Sequence, residues 1–195
     1  MPYSPQRLSA ADSALLVIDV QEKLLPAIRG EARLLENLTF LIDVARALDV
    51  PVLATEQYPK GLGSTHARIA ERLPKKLPAK VVFSCGDVPE VVAGLAGRPT
   101  SLLAGIEAHV CVLQTALDLL GRGQRVFIAA DAVSSRDDYD REVALRRMER
   151  AGAVLTTVET AAFEWLGTSA APGFKTVSRL VQDRSKRLRD LLGSP

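Results

Sequence analysis

The sequence predicts an α/β protein: a three-layer α-β-α sandwich around a six-stranded parallel sheet of Rossmann-like type. Three observations predict it. Six short runs of aliphatic and β-branched residues recur along the chain, amphipathic segments separate them, and neither an internal repeat nor a low-complexity stretch interrupts the alternation. A length of 195 residues suits one such domain with a single large core, so the chain is read as one unit, with its core over about 13–170 and a terminal helix over about 173–192.

The expected strands are Ala14–Ile18, Val52–Thr55, Val81–Ser84, Ser101–Ala104, Val126–Ala130 and Val154–Thr157. Their continuous apolar character is that of strands covered on both faces. The segment Leu34–Leu48 puts Leu34, Leu38, Leu41, Ile42, Ala45 and Leu48 on one stripe, the pattern of a helix packed on a sheet. Val112–Leu120 is apolar nearly all round and is expected to lie deeper. Arg141–Arg150 is strongly charged and anchored by Val143, Leu145 and Met148. Gly121 and Gly123 bracket a helix-to-strand turn. The basic amphipathic tail, Lys175 to Leu192, reads as a solvated or docked terminal helix in preference to a membrane-surface element.

Composition narrows the function classes. Lys and Arg total 25 against 23 for Asp and Glu, so no strong field points to nucleic acid or a membrane as partner. No apolar run approaches the roughly 20 residues that span a bilayer. The opening MPYSPQRLSAADS lacks the apolar region of a secretory signal, and two cysteines are too few for a disulfide framework. Together these lead to an expectation of a cytoplasmic protein acting on a small molecule.

In an open parallel sheet, ligands bind beyond the carboxyl ends of the strands. The polar residues there are Asp19; Glu56, Gln57 and Tyr58; Cys85 to Asp87; Glu107 to Cys111; and Asp131 to Arg136. Asp19 directly follows Ala-Leu-Leu-Val-Ile, at the edge of low dielectric where a carboxylate wants a partner; an Asx turn or helix cap explains it equally simply. Cys111 stands at or next to the start of a helix. There the helix dipole favours a thiolate, and free N–H groups can receive an oxyanion; a small buried apolar residue is the alternative. Lys80 precedes the third strand and reads either as a solvated flank or as a cation beside the other two.

These positions are not independent. Leu-Leu-Val-Ile-Asp19-Val-Gln, Lys80-Val-Val-Phe-Ser and Gly105-Ile-Glu-Ala-His-Val-Cys111-Val resemble, in order and spacing, three blocks of the isochorismatase-like cysteine hydrolases. The resemblance runs from about Ser13 to Val158. Thr55-Glu-Gln-Tyr-Pro-Lys-Gly-Leu-Gly and Asp131-Ala-Val-Ser-Ser-Arg are similar to the isochorismatase-domain-containing members of undefined substrate. The resemblance implies an Asp19–Lys80–Cys111 triad and a cis peptide near Ile106–Glu107. It also implies an oxyanion hole from the backbone N–H groups of Glu107 and Cys111, and a homo-oligomeric assembly. Hydrolysis of a C–N bond in a small amide-like substrate through a Cys111 thioester follows from it. Vinyl-ether hydrolysis with Asp19 as acid and a non-catalytic family member are the alternatives.

Departures from the family are informative too. Nicotinamidase-like members carry an Asp-x-His metal motif with a second histidine after the second strand, whereas this chain has only His66 and His109, in neither position. No metal is expected, and no cofactor: no G-x-G-x-x-G follows the first strand, there is no P-loop, and Gly61-Leu-Gly63 is too short to cradle a diphosphate. Glu56, Gln57, Tyr58 and His109 are candidates for the substrate pocket, Arg136 for a carboxylate binder. Cys85 reads as a small buried residue in preference to a redox partner of Cys111.

Overall fold

The computed structural model describes residues 6–193; residues 1–5 and 194–195 of the expected domain lie outside them. The strands are β1 (Ser13–Ile18), β2 (Val52–Gln57), β3 (Ala79–Lys80), β4 (Thr100–Ile106), β5 (Arg125–Ser134) and β6 (Val154–Thr156), all parallel, in the order β3-β2-β1-β4-β5-β6. The helices are α1 (Glu31–Ala47), α2 (Pro59–Leu62), α3 (Ala67–Ala70), α4 (Pro89–Gly94), α5 (Leu113–Gly121), α6 (Asp138–Arg150), α7 (Val158–Leu166) and α8 (Phe174–Leu192). A 3₁₀ turn (Leu25–Ala27) precedes α1 and a π-helical turn (Ala108–Val112) runs into α5.

The period-two alternation of the strands divides the core in two. Leu15, Val17, Leu102, Ala104, Phe127 and Ala129 face α1, α7 and α8, while Ala14, Leu16, Ile18, Leu103, Val126 and Ile128 face α4, α5 and α6. The three-layer architecture is thus as the sequence predicts. Of the α1 stripe, Leu34, Leu38, Leu41, Ile42 and Ala45 are buried. In α6 the buried anchors are Met148 and Ala144, with Val143 and Leu145 only half-buried.

The terminal helix docks. Arg184, itself buried, donates to Asn37 of α1 (2.9 Å) and Glu159 of α7 (3.0 Å) and lies over the Phe40 ring, and Arg187 pairs with Glu36 (2.6 Å). The basic residues that made this helix look like a surface element are what tie it down.

One strand is misplaced by the sequence reading. Val81–Ser84 is not a strand; β3 is Ala79–Lys80, and the residues after it leave the sheet with Val81 77% exposed. The backbone leaves because the carbonyls of Val82 and Phe83 turn inward to accept from Lys80 Nζ (3.3 and 2.9 Å), which points the apolar side chains outward.

Strand order reverses between β1 and β4, which start the two halves of the sheet. In sheets of this type the switch point is where ligands bind, beyond the carboxyl ends of the two strands. Asp19 follows β1 and Cys111 follows β4, so the topology delivers both to it.

Candidate active site

Asp19 ends β1 in a left-handed conformation (φ 52°), which aspartate tolerates and which turns the chain sharply out of the sheet. Beside it on β4, Gly105 has φ +118°, and a Cβ there would lie 2.1 Å from the Ile18 carbonyl oxygen, so only glycine lets β4 approach β1 so closely. The Ile106–Glu107 peptide that follows is cis. Cys111 then falls within the π-helical turn, so the helical segment starts at Ala108, four residues before the Val112 start read from the sequence. Such turns recur at functional sites.

Asp19, Lys80 and Cys111 come together and are 1%, 5% and 6% exposed. Lys80 Nζ donates to Asp19 Oδ2 at 2.6 Å, a pair closed off from solvent on both sides. Besides the two carbonyls, the ammonium also meets Gln57 Oε1 at 2.7 Å. Thr55 Oγ1 donates to Asp19 Oδ1 at 2.8 Å, and the Cys111 thiol is close enough to the same carboxylate to feel its charge.

The electrostatics overturn one expectation. Burial, the main cause, and the charge of Asp19 push the Cys111 thiol well above its ordinary range, outweighing Lys80, which pulls it down. Together these effects favour the protonated thiol in the resting site.

The other candidates fall into place less uniformly. Gln57 belongs to the site: its amide Nε2 donates to Val81 O (2.9 Å) and its backbone is clasped by Gln21 (2.8 and 3.0 Å), which fixes Oε1 against Lys80. Glu56 Oε1 accepts from Thr65 N and Oγ1 (2.7 and 2.8 Å) and so anchors a loop. Tyr58 is exposed, and its N–H holds Lys80 O (2.8 Å). His109 is hydrogen-bonded to Ser135 Oγ (2.9 Å), with Asp140 at 3.8 Å. Arg136 is engaged by Glu107 Oε2 through both its N–H and Nε (3.1 and 3.0 Å), which ties it to the turn after β4. His66 caps α3 by accepting from Arg68 N. Among the described residues no group of three or more His, Cys, Asp or Glu side chains is arranged to hold a metal ion.

Sequence reasoning missed Thr55 as a member of the cluster, whereas Cys85 was placed at the crevice as a small buried residue. Thr55 had a signal: in parallel register it stands beside Ile18, one residue before Asp19, and a polar side chain inside a buried strand needs a partner.

A doubly wound sheet with a buried carboxylate, ammonium and thiol gathered at its switch point defines the class of the molecule. Residues 13–160 match the model of the isochorismatase domain, and the chain belongs to that family. It is 40% identical over 178 residues to isochorismatase domain-containing protein 1 of Danio rerio, with 90% of this chain and 62% of that protein covered. It is 39% identical over 188 residues to the secreted isochorismatase effector Isc1 of Phytophthora sojae, covering 92% and 89%. Among solved structures, the MAR1 ribonuclease from Caenorhabditis elegans is 44% identical with a TM-score of 0.86, covering 90% of this chain and 92% of that one. The ycaC gene product of Escherichia coli, described as an octameric hydrolase of unknown specificity, is 25% identical with a TM-score of 0.83 and 98% of both chains covered.

Proposed function

We propose that this member of a hydrolase family is a cysteine hydrolase cleaving the C–N bond of a small amide-like substrate. The observation that carries this reading is the buried cluster itself: a Cys111 thiol beside the Asp19 carboxylate, whose Oδ2 is held 2.6 Å from Lys80. As the sulfur attacks the substrate carbonyl carbon, Asp19 takes the thiol proton. The oxyanion is received by the backbone N–H groups of Glu107 and Cys111. Asp19 then gives the proton to the departing nitrogen as the C–N bond breaks, leaving an acyl thioester on Cys111. Water, deprotonated by Asp19, attacks that thioester; the acid leaves and the thiol is restored. Lys80 stays charged throughout and offsets the negative charge that moves between carboxylate and sulfur. The raised thiol supports base-assisted attack, in which the thiolate is formed only as it reacts.

The test is a hydrolysis screen of small amides, ureas and carbamates with wild type and Cys111→Ala side by side. Amide turnover by wild type that disappears in Cys111→Ala is the expected result. Turnover of a vinyl ether that survives Cys111→Ala would replace this reading with acid catalysis by Asp19. A second reading comes from the name of the 44% identical C. elegans neighbour, so single-stranded RNA belongs in the same screen; cleavage of RNA with every amide inert would favour it. The reading extends to assembly and place: a homo-oligomer, in line with the octameric E. coli neighbour, acting in the cytoplasm. No described helix is long and apolar enough to cross a membrane, and the P. sojae relative is named as secreted, so cell fractionation decides the compartment.

A further inference from the structure

The relay above leaves two buried groups of the cluster unused, Thr55 and Cys85. The parallel register of β1 and β2 seats Thr55 beside Ile18, and its Oγ1 lies 2.8 Å from Asp19 Oδ1 while Lys80 occupies Oδ2. The same Oγ1 lies 3.4 Å from Cys85 Sγ. Geometry alone leaves the donor in that second contact open; chemistry closes it. A threonine hydroxyl has one hydrogen, and an ionised carboxylate only accepts, so the hydrogen points to Asp19 and the Cys85 thiol must donate to Thr55. Burial pushes the Cys85 thiol up, so it keeps the proton this role needs. The far end of the chain is fixed as well: Cys85 N donates to Thr115 Oγ1 (2.9 Å), which donates to the Cys111 carbonyl (2.7 Å). Asp19 is therefore faced by Thr55 from β2, Lys80 from β3, Cys85 from the loop after it and Cys111 from the π-helical turn.

We propose that Thr55 is a positioning residue for Asp19, its hydroxyl aimed by the Cys85 thiol, and that this chain holds the carboxylate in the orientation that receives the Cys111 proton. Cys85 is then the outermost hydrogen-bond donor of the site, in place of a redox partner. The inference rests on the reading of Asp19 as base.

The test follows alkylation of Cys111 by iodoacetamide over about pH 5 to 9, with peptide mass spectrometry separating Cys111 from Cys85. Wild type, Thr55→Val, Thr55→Ser and Asp19→Asn are compared. An acid limb that Asp19→Asn abolishes is expected in wild type. A carboxylate that loses a donor holds its proton to higher pH, so Thr55→Val moves that limb up by about one pH unit, and Thr55→Ser restores it. A limb unmoved in Thr55→Val, or moved as far in Thr55→Ser, overturns the positioning role while leaving Asp19 as base. A wild-type profile with no Asp19-dependent limb overturns the base itself, and the positioning role with it. If Thr55→Val does not fold, Thr55→Ala carries the same expectation.

Discussion

Replacing Lys80 by methionine keeps the length and apolar stem of the side chain and removes only the ammonium. Four acceptors surround that ammonium, Asp19 Oδ2, Gln57 Oε1 and the carbonyls of Val82 and Phe83, and the Lys80–Asp19 side chains are 1% and 0% exposed. Water is not there to take over. Breaking a dry pair from one side costs about 3–5 kcal/mol because it strands a buried charge, and the three further acceptors put this site toward the upper end. For a chain of this size that is a fall in Tm of roughly 6–20 °C. Urea unfolding followed by circular dichroism at neutral pH measures it. The double variant Lys80→Met/Asp19→Leu removes both charges and should recover most of the loss, since a buried pair exchanged for apolar groups is close to neutral. A loss below about 1 kcal/mol in Lys80→Met would refute the picture of a dry, coupled pair, for that is the range of exposed ion pairs.

Gly105→Ala would set a Cβ 2.1 Å from Ile18 O and 2.6 Å from Ile18 N, both backbone atoms in the sheet; a loss above about 4 kcal/mol is expected, seen as insoluble expression or a collapsed urea midpoint. Arg184→Ala leaves Glu159 and Asn37 without their donor from α8, and hydrogen exchange should show Phe174–Leu192 losing protection ahead of the rest of the fold. Both thiols are raised in the folded state above their ordinary value of 9.0, so they do not affect stability below that pH. Above it the unfolded chain gives up thiol protons that the folded chain keeps, and stability falls as pH rises. Cys85→Ala should remove part of that alkaline slope in a series of melting curves.

The sheet was legible because buried parallel strands write themselves as continuous apolar runs, and α1 because its stripe recurs at helical spacing. The gathering of Asp19, Lys80 and Cys111 was legible through a different route, three sequence blocks in family order, since each alone had an ordinary structural explanation. What the sequence hid was decided by contacts distant along the chain. Val81, Val82 and Phe83 carry strand propensity, yet Lys80 draws the carbonyls of Val82 and Phe83 inward and Gln57 takes that of Val81, so the segment leaves the sheet. Glu56 and Arg136 looked like ligands for a substrate and are held by Thr65 and Glu107. The thiol's protonation could not be read from its place at a helix start, because desolvation and a neighbouring carboxylate both raise it.

The most direct test of the central claim is to look for the acyl group on the sulfur. A substrate found in the amide screen is mixed with enzyme, quenched in acid during turnover, and the protein is weighed by intact-mass spectrometry. The account predicts an adduct of the acyl mass, mapped to Cys111, released by hydroxylamine and absent in Cys111→Ala. Steady turnover by Cys111→Ala, with no adduct on the wild type, would contradict it.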